Sequence, residues 1–219
     1  MKIITLSDTH GRHEDLILPE ADLILHSGDI TYFSHNGMQR VADFMDWFQR
    51  QPAKHKIFIA GNHDLHLEKE EKFFRTVIPP GIIYLNDEMV TVDGVSIWGS
   101  PITPWFHDWA FNRRRGHEIQ KHWDLIPSGI DILLTHGPAY GILDKSGSEN
   151  IGCKDLLKTI ERVKPLIHCF GHTHVDPGIK KIKETFFINS AVVNHKYLIV
   201  RKPIIVEFDL INKNVIHNH

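Results

Sequence analysis

Two histidines two positions apart follow a glycine in the pentapeptide FGHTH, residues 170–174, at the end of an apolar run. Side chains at that spacing on an extended backbone point the same way, so His172 and His174 can converge on one object. Alone, such a pair reads equally well as a polar turn facing water. Four other stretches share its setting, a short apolar run ending in residues of ligand type. Asp8 and His10 follow the first, in SDTH, with the same spacing. Asp29 follows the second, in HSGD; Asn62 and His63 the third, in GNHD; His136 a later one, in THGP. Each is ordinary turn chemistry in isolation. Jointly they supply two carboxylates, one amide oxygen and four imidazoles, with no thiolate. Tetrahedral zinc takes four ligands, so seven suit two ions bridged by one carboxylate, and mixed nitrogen and oxygen donors suit manganese, iron or zinc, with manganese favoured. A pair of such divalent or trivalent ions holds a bridging hydroxide and clamps a phosphoryl group during in-line displacement.

For those residues to meet, the runs they end must lie side by side. Short β-rich runs alternate with helical patterns, which predicts an α/β fold. Strands are expected at 3–6, 23–25 and 56–60, and a helix over 37–50, where Met38, Val41, Phe44, Met45 and Phe48 recur at helical spacing before Pro52. A charged helix over 68–77 turns Phe73, Phe74 and Val77 inward. Strands at 82–85, 88–92 and 95–98 then read as an antiparallel meander, with Asp93-Gly94 as a hairpin turn. Beyond an aromatic loop at 100–115 come a helix at 116–126, a strand at 130–134, a loop at 136–150, a helix at 153–163, and strands at 166–170, 184–189 and 203–210. In open α/β sheets, sites form at the carboxyl ends of the strands, which is where all the candidate ligands fall. No linker or repeat divides residues 1–219, which read as a single domain.

Composition narrows the function. The chain of 219 residues is 42% hydrophobic and 24% charged, with a net charge of −2 and neither sign gathered into a long block. That disfavours a nucleic-acid or membrane surface as the main partner. Arg113-Arg114-Arg115 is the longest basic cluster, solvated or available to grip an anionic substrate. The opening MKIITLSDTH is too short in apolar residues for a signal peptide, and no run approaches the ~20 apolar residues of a membrane span, so a cytoplasmic location is expected. Cys153 and Cys169 lack metal or redox spacing.

With these motifs assembled, the order DxH, GD, GNHD, H, GHTH resembles the five-motif signature of the calcineurin-like metallophosphoesterases, from Asp8 to His174. SDTHGRH, HSGD, WGSPITPWFHDWAFN, LLTHGPAYGILD and CFGHTHVDPG further resemble the metallophosphoesterase-domain-containing subgroup, relatives of the class III cyclic-nucleotide phosphodiesterases. The resemblance implies a four-layer α/β/β/α sandwich of two mixed sheets with a dimetal site at one edge. It implies a first metal on Asp8, His10, Asp29 and His174 and a second on Asp29, Asn62, His136 and His172. It casts His63 as a catalytic histidine that protonates the leaving oxygen or stabilises phosphoryl charge, and Asp64 as the acid that orients His63 through a ring nitrogen. Thr135 stands where many members carry glycine; no ligand position is lost.

The implied activity is hydrolysis of a small phosphoester, with a phosphodiester, cyclic nucleotides among the candidates, favoured over a monoester. A protein phosphatase, a nuclease and a non-catalytic scaffold are the alternatives. The stretch 98–112 carries Trp98, Trp105, Phe106, Trp109 and Phe111, which can stack on a flat leaving group or pin the loop to the body. His107 and Asp108 could add polar contacts there. Arg12, His13 and His26, beside the motifs, are candidate substrate contacts or supports for the ligands. His35, His55, His66, His117, His122, His195, His217 and His219 read as surface residues, and His168 as core-facing or edge polar. Self-association is left open.

Overall fold

The computed structural model describes residues 1–32 and 37–216, so His35, His217 and His219 lie outside the described residues. The chain opens with β1 (Lys2–Leu6), β2 (Ala21–His26), α1 (Gly37–Gln49), β3 (Ala53–Phe58), α2 (Leu65–Lys69), α3 (Glu71–Val77) and β4 (Ile82–Tyr84). The four strands pair in parallel, and Leu6, His26 and Phe58 stand in one register row, so three loops leave the sheet at the same level. Parallel strands buried on both faces need near-continuous apolar runs, and β1 has one: Ile3 faces one core cluster while Ile4 and Leu6 face the other.

The chain then crosses to a second sheet. The hairpin β5 (Glu88–Val92) and β6 (Val95–Ser100) turns at Asp93 and Gly94, both at positive φ as a type I′ turn demands. The expected meander is thereby corrected: β4 pairs in parallel with β3 in the first sheet, and only β5 and β6 are antiparallel. Short apolar runs look alike whichever sheet they join. The single helix expected over 68–77 is also two, broken at Glu70; Phe74 is buried, whereas Phe73 and Val77 are half exposed.

Next come β7 (Thr103–Pro104), β8 (Asn112–Arg113), α4 (His117–Trp123), β9 (Ile132–Thr135), β10 (Lys145–Ser146), β11 (Glu149–Asn150), α5 (Lys154–Val163), β12 (Ile167–Phe170), β13 (Gly178–Ile182), β14 (Thr185–Asn189), β15 (Ile204–Asp209) and β16 (Asn214–Ile216). The two large sheets run β16-β15-β1-β2-β3-β4 and β13-β14-β12-β9-β6-β5. Both are mixed: β15 returns antiparallel to β1, while β6, β9, β12 and β14 run parallel. Ile3, Leu25 and Ile57 of the first sheet share one core with Ile97, Leu134, Cys169 and Ile188 of the second. The outer faces pack on helices, Phe44 of α1 against Phe58 on one side, and Trp123 and Ile160 clustered with Leu133 and Phe170 on the other. This is the four-layer α/β/β/α sandwich. No helix among the described residues is long and apolar enough to cross a membrane.

Candidate metal centre and cleft

The loops after β1, β2, β3, β9 and β12 meet where the two sheets are stitched together. Ser7 N donates to Ser190 O, Val192 N to Ser7 O and Gly171 N to His136 O. Asp8, His10, Asp29 and His172 all sit at positive φ, between 45° and 68°. For residues with a Cβ that conformation costs about 1–3 kcal/mol each and persists where surrounding bonds over-determine it. Here Asp8 N donates to Gly28 O and His10 N to Asp29 O, both at 3.0 Å. The backbone around the two-apart pairs is therefore turned rather than extended, which corrects the simple spacing argument. His174 reaches Asp8, while the His172 ring lies 5.1 Å from that of His136. Gly171 is obligatory because a Cβ there would collide with Asp8 Oδ2 and Ser7 Oγ.

Hydrogen bonds fix which nitrogens carry lone pairs. His10 Nδ1 donates to Thr31 O at 3.2 Å, so Nε2 is bare; it is buried with no partner, 3.9 Å from Asp8 Oδ1 and 3.7 Å from Asp29 Oδ2. His136 Nδ1 donates to Ser27 O at 2.8 Å, leaving Nε2 facing Asn62 Oδ1 at 2.8 Å and Asp29 Oδ2 at 3.4 Å. His174 Nε2 is 3.1 Å from Asp8 Oδ1. Acceptors this close, buried and aimed at each other, call for positive charge between them. Three overlapping sets bring their ligand atoms within 4.8 Å of one another: Asp8, His10 and His174; His10, Asp29 and His63; Asp8, Asp29 and His136. The donor set fits metal ions.

Charge follows the same logic. Burial works against ionised Asp8 and Asp29, yet His174 and His136 outweigh it and hold both well below the ordinary carboxylate range. Burial likewise opposes protonation of His136, but the Asp29 charge lifts its pKa to about 9. Burial pulls His10 and His172 down to about 4, leaving both as neutral donors. Asp64 departs from the expectation that it orients His63. Its oxygens accept from Ile30 N, Thr31 N, Thr31 Oγ1 and Gly61 N, so it ties the Asp29 loop to the GNHD loop. Burial and the charge of Asp29 push its pKa up to about 7.

Beside this cluster opens a cleft of about 540 Å³, lined by Asn62, His63, His172 and His174 and walled by Trp105, Phe106 and Trp109. Asn112 holds the wall, accepting from Phe106 N and donating to the carbonyls of Phe106 and His107, while Ala110 N donates to Asn62 O. Trp98 and Phe111 face the core instead, and His107 and Asp108 are exposed. The hairpin of β10 and β11 lines the cleft too.

The sequence model of the calcineurin-like phosphoesterases matches residues 1–176. The chain belongs to that family. Among its phosphoesterase relatives is human metallophosphoesterase domain-containing protein 1, 36% identical over 94% of this chain and 70% of the relative. UPF0046 protein K07C11.7 of Caenorhabditis elegans is 35% identical over 94% of this chain and 74% of its own. The phosphoesterase fold also matches the crystal structure of phosphopantetheinyl hydrolase from Mycobacterium tuberculosis, with a TM-score of 0.64 and 13% identity over 90% of each chain. The protein TT1561 of Thermus thermophilus aligns at 0.61 and 15% identity, over 98% of this chain and 96% of that one. The family is dimetal-dependent.

Three expected substrate contacts of this phosphoesterase lie away from the cleft. Arg12 pairs with Asp15 at the surface. His13 is buried beside Phe44 and Trp47, and His26 is fully buried beneath the loops with both ring nitrogens bonded. Adjacency to a motif in sequence is not adjacency to its exposed face. The arginine run is largely engaged: Arg115 donates to Ile151 O and Gly152 O, and Arg113 to Asn112 O and His122. His122, expected at the surface, is half-buried and bonded to Asp87; His55 and His66 are half-buried, and His117 is exposed. His195 is exposed but lines the cleft with Tyr197, whose ring lies 4.7 Å from that of His10. Tyr32 stacks on His63 at 5.8 Å. Neither tyrosine belongs to a motif, so only folding brings them in.

Proposed function

We propose that the chain is a metal-dependent phosphoester hydrolase that favours small phosphodiesters with a flat leaving group, cyclic nucleotides among them. The observation that carries this reading is the buried convergence of the Asp8 and Asp29 carboxylates with bare imidazole nitrogens, at the base of a cleft with an aromatic wall. In it Asp8, His10, Asp29 and His174 hold one ion and Asp29, Asn62, His136 and His172 the other, with manganese the favoured metal. Bound ions would activate water as the nucleophile and neutralise phosphoryl charge.

The remaining work falls to side chains. Asp29 would serve both ions through one carboxylate. His63, packed between Tyr32 and Trp109, faces the cleft and would give a proton from its ring to the leaving oxygen. Burial lowers its pKa and Asp29 raises it, so its proton is held loosely enough to be given up near neutral pH. Trp105 and Phe106 would stack on the leaving group and keep water from that side. A diester is favoured over a monoester because the cleft extends well past the metal-ligand cluster along that wall, leaving room for a substituent on each side of phosphorus.

The test is hydrolysis of a chromogenic phosphodiester beside the matching monoester, with manganese and then with excess chelator. Chelator-sensitive turnover favouring the diester is expected. Preference for the monoester would reassign the substrate, and no turnover of either with full metal occupancy would leave a metal-binding scaffold.

A further inference from the structure

His26 is 0% exposed and takes no part in the donor set, yet it touches both of the first two ligand loops. It ends β2 in register with Leu6 and Phe58. Its Nδ1 accepts from Gly28 N at 3.2 Å, so in the neutral ring the proton is on Nε2, which donates to Thr9 Oγ1 at 3.1 Å. Burial keeps the ring neutral, with its pKa pulled down to about 3. Phe44 closes the other side, with the rings 5.1 Å apart.

What those two bonds hold is the strained part of the site. Thr9 lies between Asp8 at φ 59° and His10 at φ 45°; Gly28, at φ 97°, precedes Asp29 at φ 53°. Gly28 has no room for another residue, since a Cβ would stand 2.5 Å from Ala60 O. Left-handed conformations next to one another persist only when outside bonds fix them. The imidazole supplies an acceptor to one loop and a donor to the other at a fixed separation. An aliphatic side chain would leave both partners buried and unpaired.

We propose that His26 is a positioning residue for the metal centre, a buried bracket that sets the Asp8–His10 loop against the Asp29 loop at the separation that two ions require. The proposal rests on the dimetal reading above. Groups that support metal ligands from behind typically change affinity 10–100-fold when removed.

The test is manganese binding to the metal-free protein, by calorimetry and chelator competition, with the melting temperature of each metal-free protein alongside. Thr9→Val, nearly isosteric, breaks one arm; His26→Leu breaks both; His26→Asn puts an oxygen near the place of Nδ1 and keeps the Gly28 arm. About 10–100-fold weaker binding is expected for His26→Leu, with smaller losses for Thr9→Val and partial recovery in His26→Asn. If His26→Leu does not fold, Thr9→Val and His26→Asn carry the comparison. Wild-type affinity in the variants that fold, even with a lowered melting temperature, overturns the proposal and leaves His26 a core residue. A wild-type protein that binds no metal would instead sink the dimetal reading itself.

Discussion

The carboxylate of Asp29 faces His10, His63 and His136 through Oδ2 and accepts the His63 N–H through Oδ1 at 2.8 Å. Replacing it with asparagine keeps the shape and removes the charge that holds these imidazoles together. Asp29→Asn is expected to lose both metal occupancy and turnover, the latter by more than about 100-fold, beyond the range of a supporting residue. His63→Ala should separate those readouts, losing roughly 10²–10⁴-fold in turnover, the span of a general acid, with metal content intact. Metal analysis beside rate measurement decides both. Retained turnover in the first variant, or an empty site in the second, would contradict the assignment.

At the level of elements, the site depends on how tightly loops from different strands approach. Gly171 follows β12 where Asp8 and Ser7 leave no space for a methyl group, whereas Gly81 has open space around its missing Cβ, although its φ is +90°. Gly171→Ala should therefore cost about 1–3 kcal/mol from overpacking, together with metal affinity. Gly81→Ala should show only left-handed strain, of order 1–2 kcal/mol, with metal binding unchanged. Urea unfolding and metal titration of the pair separate the two effects. The loop between β7 and β8 makes a different prediction, because Trp105 lines the cleft while 52% exposed. Trp105→Ala should raise KM for an aryl phosphodiester about tenfold, as lost stacking of roughly 1.4 kcal/mol implies, and leave an alkyl diester nearly unaffected. Equal losses on both esters would mean that Trp105 only braces the loop.

Across the whole molecule, buried histidine couples stability to pH. Thr135 Oγ1 donates to Gly137 O, so His168 Nε2 must donate to Thr135 at 2.8 Å, and burial pulls the His168 pKa from 6.5 to about 3. The unfolded chain binds that proton first as pH falls. The stability associated with neutral His168 is complete above about pH 6.5 and is lost progressively towards pH 3, at a slope approaching about 1.4 kcal/mol per pH unit. His168→Gln, which can keep a donor to Thr135, should flatten this part of the profile. Unfolding midpoints of metal-free wild type and variant at pH 7.5 and pH 5 should converge as the medium becomes acidic. A constant gap between them would show that His168 does not titrate on unfolding.

By itself the sequence determined the class of fold, the order of most elements and the types of donor that end five strands, because apolar runs bounded by glycine and polar residues report strands and their ends locally. It did not carry sheet membership: β4 reads like β5 and β6 but pairs with β3. Nor did it carry direction, since Phe73 and Phe74 are adjacent aromatics of which one is buried and one half exposed. Only the tertiary structure decided that Asp8, His10, Asp29 and His172 adopt left-handed backbone, that His26 and His13 point away from the cleft, and that His195 and Tyr197 reach it. The physical reason is range. Strand and turn preferences act over a few residues, whereas these outcomes depend on contacts such as His174 with Asp8 and His136 with Ser27, formed between segments more than a hundred residues apart.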